Sequence, residues 1–246
     1  MTNNYKINKN NILKTIRETL INSSDSKTKK NGPKFFKEKV KIYGVKVSLV
    51  TKISKEFFEF IRDCKKDEIY FLCEQLLKSG YLEEQFIACN WSYYVSNRFE
   101  PDDFVVFENW LKLYVDNWAT CDTLCNHTIG TFIEKYPNYL SDITNWTKSS
   151  NRWLRRAAAV TLIIPARKGM YFKEIISIAD NLLIDSDDLV QKGCGWMLKS
   201  ASEAHQKEIF EYVMTNKEQM PRTILRYAIE KMPQELRKEA MKKNKK

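Results

Sequence analysis

The chain has 246 residues, enough for one large domain or two small ones and for a core that needs no disulfide or metal. Its apolar share of 43% is ordinary for a globular protein, while only 7 Gly and 6 Pro argue against a β-sandwich or barrel, which needs frequent turn residues. Lys and Arg number 41 against 31 acids, a net charge of +10 that attracts nucleic acid or an anionic membrane surface, although a merely solvated basic surface gives the same total.

Residues 1–10 are polar, without the apolar core of a signal peptide, and are expected to be disordered. Ile12, Leu13, Ile16, Leu20 and Ile21 then follow helical spacing and predict one amphipathic helix. Residues 23–33 (SSDSKTKKNGP) read as a basic loop after it. A lone N-terminal helix cannot bury its apolar face unaided, so the loop stays inside a single domain spanning 1–246. From Lys34 onward helix follows helix, punctuated at starts or just past ends by Pro101, Pro137, Pro165, Pro221 and Pro233. No segment alternates with a period of two, so the fold class is all-α. No apolar run approaches the ~18 residues of a membrane span. The six cysteines are scattered, which suits reduced core residues in a cytoplasmic, nucleoid-associated protein.

A repeat runs through the chain. The segments EQFIACNWSYY, TCDTLCNHTIG, LRRAAAVTLII, VQKGCGWMLKS and LRYAIEKM align so that Gln85, Asp122, Arg156, Lys192 and Arg226 are equivalent, at intervals of 37, 34, 36 and 34 residues. Fixed periods of this size predict a right-handed solenoid of antiparallel helix pairs. Equivalent positions then form a row along one face, expected to be the concave, DNA-binding one. Three of its five members are cationic, which suits a phosphate backbone.

Trp118 and Asp122 lie four apart and share a helix face. An exposed Trp beside a carboxylate in a basic groove is unusual, because Trp is normally spent on packing; the plain alternative is a core Trp and a helix-end Asp. Trp196 is flanked on its helix by Lys192 and Lys199, and the nearby Gly193 and Gly195 suit close helix packing. Arg155 and Arg156 project about 100° apart, so one of them faces the row, and the alignment selects Arg156. Cys121, Cys125 and His127 invite a metal reading, but a structural zinc needs four protein ligands and the other histidine is the distant His205. No phosphate-binding Gly-rich loop or Ser/His/Asp arrangement is present, so neither cofactor nor metal is expected.

At WATCD, WLRRA and QKGCGW the chain resembles the HEAT-like-repeat DNA alkylation-repair glycosylases of the AlkD type, over a span from YGVKVSLVTKI to LRYAIEKM. The resemblance implies a monofunctional glycosylase, acting as a monomer, that excises cationic N3- and N7-alkylated purines from duplex DNA without base flipping. It places the catalytic carboxylate at Asp122, the groove tryptophans at Trp118 and Trp196, and a backbone-contacting arginine at Arg156. Lys199 stands where the family has arginine; Lys192 and Arg226 join the DNA contacts through the repeat alignment. Lys is a point charge and cannot grip phosphate bidentately. Two other readings share the architecture: a binder of damaged or branched DNA that does not cut, and a protein-interaction scaffold.

Overall fold

A computed structural model describes residues 11–242; the disorder expected for residues 1–10 falls outside them. Among the described residues the chain is all helical, with no strand and a lone parallel bridge between Lys41 and Tyr81. No helix among them is long and apolar enough to cross a membrane. The helices gather into two compact units, Met1–Leu124 and Cys125–Lys246.

The first unit opens with α1 (Ile12–Asn22), where Ile12, Ile16 and Leu20 recur every four residues and are all buried. Residues 23–33, expected as a loop, are mostly helical: α2 covers Ser26–Asn31 and a 3-10 turn follows over Gly32–Phe35. The reason is a cap. Asp25 Oδ1 accepts the N–H and the hydroxyl of Thr28 at 2.6 and 2.7 Å, which holds its carboxyl below the usual range. Helices α3 (Val47–Phe58) and α4 (Lys66–Lys78) pack on α5 (Leu82–Tyr94). Helix α6 (Asp103–Leu113) leads into α7 (Trp118–Thr123), which packs beside α5.

Two acids at the start of α5 are buried because they anchor the N-terminal segment. Glu83 accepts the backbone N–H groups of Tyr43, Gly44 and Val45 at 3.0, 2.8 and 3.0 Å. Glu84 takes a bidentate ion pair from Arg17 and the Tyr43 hydroxyl at 2.7 Å.

In the second unit α8 (Gly130–Lys135) and α9 (Leu140–Asn145) precede α10 (Arg152–Val160), and α11 (Ile163–Arg167) and α12 (Phe172–Leu182) follow it. Next come α13 (Asp188–Ala201), α14 (Gln206–Asn216), α15 (Arg222–Ala228) and α16 (Gln234–Met241). Helix α13 packs between α10 and α15, with α12 and α14 as partners. Side-chain caps start α10 and α13: Asn151 accepts from Trp153 N at 2.9 Å, and Asp187 from Leu189 N at 2.8 Å. Pro221 and Pro233 cap α15 and α16, as expected; Pro165 lies within the first turn of α11.

The glycines of α13 serve close packing. A Cβ on Gly195 would stand 2.6 Å from Cβ of Tyr227, and one on Gly193 would stand 3.3 Å from Arg156 and Val160. The repeat is visible in the helix starts themselves. Helices α5, α7, α10, α13 and α15 begin at residues 82, 118, 152, 188 and 222, intervals of 36, 34, 36 and 34.

Candidate nucleic-acid interface

The residues singled out from the sequence fall on the repeat helices of both units. In the first unit, Asn117 caps α7 by accepting from Thr120 N at 2.9 Å, and Trp118 is the first residue of that helix. Asp122 sits one turn later on the same face, 8% exposed. Directly after α7 the helix widens into a π turn over Leu124–Ile129, a feature that often marks functional positions.

Trp118 is half-buried, and what covers it was not foreseen. Phe36 stacks on its ring at 5.3 Å and 22°, and the indole Nε1 donates to the Phe35 carbonyl at 3.3 Å. These rings wall a cavity of about 310 Å³, otherwise apolar with Val47 and Phe86 among its lining and Glu83 and Lys46 as charged members. Phe35 itself is 76% exposed at the edge of this cavity. The signal in the sequence is the pair of aromatics between lysines in PKFFK, at the end of the basic segment 23–33.

In the second unit Arg156 is buried, and its Nη1 donates to the Leu189 carbonyl in the first turn of α13. Arg155 turns away, to Asp185 at 2.6 Å and the Ser149 carbonyl at 2.9 Å, so only one of the two arginines belongs to the row. On α13, Trp196 is half-buried. Lys192 pairs with Asp188 at 2.9 Å, and Lys199 pairs with Glu230 at 3.1 Å while its Nζ lies 5.5 Å from the Tyr227 ring centre. Arg226 is exposed on α15.

The row is therefore not a continuous exposed stripe, which corrects the expectation from the alignment. Gln85 is fully buried, its amide reaching Tyr114 O at 3.3 Å while its oxygen accepts from Asn117 and Thr120 at 3.1 and 2.5 Å. Gln85 and Arg156 occupy equivalent positions, and each ties its helix to the opening turn of the next repeat helix in its unit. Where the side chain at this position is buried, as at Gln85 and Arg156, it is consumed by helix-to-helix hydrogen bonds, because buried donors and acceptors must be paired.

The thiols of Cys121 and Cys125 are fully buried while His127 is exposed. Among the described residues no three His, Cys, Asp or Glu side chains gather to hold a metal.

Comparison with known proteins gives one consistent picture. Residues 16–232 match the model of a family described as DNA alkylation repair enzyme. Among solved structures, a predicted DNA alkylation repair enzyme from Enterococcus faecalis superposes with a TM-score of 0.77 at 15% identity, covering 86% of this chain and 98% of its own. The protein smu.31 from Streptococcus mutans gives 0.55 at 20% identity, over 77% and 96%. The alkylpurine DNA glycosylase AlkC from Pseudomonas fluorescens, solved bound to DNA containing an abasic site analog, gives 0.52 at 15%, over 91% and 62%. No curated protein matches the sequence.

Proposed function

The chain belongs to the DNA alkylation repair enzyme family, and from that premise we propose that it is a monofunctional glycosylase releasing cationic N3- and N7-alkylated purines from duplex DNA. The observation that carries the reading is the Trp118–Asp122 pair on one face of α7, a carboxylate and an indole offered together by a basic protein. An alkylated purine already bears positive charge and leaves as a neutral base, so its departure needs no general acid. Positive charge passes to the sugar, which becomes oxocarbenium-like. The Asp122 carboxylate stabilises that charge and orients the water that attacks C1′, and the Trp118 indole adds a cation–π contribution. Neither step calls for a metal or for a base-swallowing pocket.

The second unit supplies contacts to the sugar-phosphate backbone, with unequal readiness. Arg226 is exposed and available. Lys192 and Lys199 exchange Asp188 and Glu230 for phosphate, and Trp196 offers indole surface beside them on α13. Arg156 keeps Leu189 and presents only its edge. The structural likeness to a glycosylase solved on abasic-site DNA supports DNA as the partner.

The deciding experiment is incubation with a duplex carrying a single N7-methylguanine, in chelator, followed by assay of free base. Base release is expected. No release from several alkylated substrates, with duplex binding intact, would instead favour the reading of a binder that does not cut.

A further inference from the structure

The cations of α10 and α13 differ from those of the C-terminal helix pair. Along α10 and α13 four are already neutralised by carboxylates, Arg152 by Asp187 at 2.9 Å, Arg155 by Asp185 at 2.6 Å, Lys192 by Asp188 at 2.9 Å and Lys199 by Glu230 at 3.1 Å, and Arg156 is spent on the Leu189 carbonyl. At the C-terminal helix pair they are not. Arg226 on α15 and Arg237 and Lys238 on α16 line a cavity of about 650 Å³, and all three are exposed. Among the described residues none of the three makes an ion pair, and the one carboxylate lining the cavity, Glu230, is already claimed by Lys199.

The arrangement follows from helix geometry. Residues 234, 237 and 238 lie at i, i+3 and i+4 on α16 and form one face toward the cavity, while Arg226 comes from the last turn of α15 and Ile229 and Glu230 from the turn that follows it. Ile229 and Met241 supply apolar surface among the charges. The volume lies within the ~300–1,000 Å³ range of ligand sites. Unneutralised cations beside apolar wall suit an anion that carries a hydrocarbon ring, as a phosphodiester carries its deoxyribose, better than a bare ion that gains nothing from Ile229 and Met241.

We infer that the α15–α16 cavity is a second DNA-backbone site, in which Arg226, Arg237 and Lys238 hold a phosphodiester of the duplex. This rests on the reading of duplex DNA as the partner. Glu230 is the internal competitor there: it neutralises Lys199 and weakens the field of the cavity. Phosphate arriving at the three free cations competes with Glu230 for Lys199, and the exposed carboxylate of Glu230 can turn to solvent when the pair opens.

The test is duplex affinity by fluorescence anisotropy across a salt series, with base release from N7-methylguanine duplex measured on the same proteins. The double variant Arg237→Ala, Lys238→Ala is expected to make the log–log salt slope about one unit shallower, the loss of one phosphate contact. The charge-keeping swap Arg237→Lys, Lys238→Arg restores the slope. Glu230→Gln steepens it by about one unit, since Lys199 is released. Arg237 and Lys238 are exposed, so their thermal unfolding control matches wild type.

A wild-type slope retained in the double variant overturns the inference and leaves the glycosylase reading standing. A slope that falls as expected in a protein releasing no base supports the cavity site and removes the glycosylase reading instead. Titration with inorganic phosphate separates the two sources of the anion. Phosphate binding lost in the double variant without any change in duplex slope would make this a small-anion site and overturn the assignment to DNA.

Discussion

Glu83 carries its charge into the interior because three backbone N–H groups, of Tyr43, Gly44 and Val45, end on its two oxygens. Glu83→Ala leaves three donors without an acceptor, two of them buried, at ~1 kcal/mol or more each, so urea unfolding is expected to show a loss of about 2–3 kcal/mol. Glu83→Gln keeps one carbonyl oxygen in place and is expected to cost less. At Asp122 the expected outcome is kinetic. Asp122→Asn keeps the shape and removes the charge, so single-turnover excision falls by roughly 10²–10³-fold, the range for one preorganised electrostatic group. Affinity for undamaged duplex holds or rises, because an anion repels a polyanion. Equal excision rates for the two proteins would take Asp122 out of the mechanism. Helical spacing put Trp118 and Asp122 on one face of α7 from the sequence alone. It did not reveal Phe36 against the indole, since that contact joins residues 82 positions apart and periodicity speaks only of neighbours.

At the scale of elements the two glycines of α13 separate propensity from packing. Each Gly→Ala change gains ~1 kcal/mol of helix propensity. At Gly195 the new methyl would meet Tyr227 Cβ at 2.6 Å and the Ile224 carbonyl at 3.1 Å, so α15 must shift, at a cost of ~1–3 kcal/mol. At Gly193 it would meet Cγ of Arg156 and Cγ1 of Val160 at 3.3 Å, side-chain atoms that need give only a few tenths of an ångström. Thermal melts are expected to place Gly195→Ala below wild type and Gly193→Ala close to it. Equal melting temperatures for both variants would contradict the packing role of Gly195. The repeat was legible because small and apolar residues recur at the contact positions of α5, α7, α10, α13 and α15. Helix α2 was not. Its six residues, SKTKKN, carry no apolar face, and tertiary contacts that no local pattern reveals, the Asp25 cap and the hydrogen bond from Asp25 N to Gly44 O among them, hold it. The π turn after α7 has no composition signal either, because it differs from α-helix by a single hydrogen-bond register.

For the whole molecule, net charge was readable as a total but not as a distribution. A count of 41 cations and 31 acids cannot say which acids lie within 4 Å of which cations, and that pairing decides where phosphate finds an unclaimed charge. The cysteines offer a global probe. All six are free and buried, and burial pushes the Cys194 thiol up to about 12 and raises Cys73 and Cys89 as well. At pH 8 these three thiols stay protonated, and burial shields all six in the native protein. A thiol reagent in excess is expected to label none of the six rapidly, and all six in denaturant. A fast-reacting thiol in the native state would contradict this burial. The hydrogen bonds of Gln85 and Arg156 also bear on how such a protein evolves. Both positions are structural rivets, so drift there is filtered by foldability before any ligand is met. Arg226, at the equivalent place on α15, holds nothing together. Selection for tighter or looser grip therefore has free play at the C-terminal end of the repeat series, while Gln85 and Arg156 are held in place by folding itself.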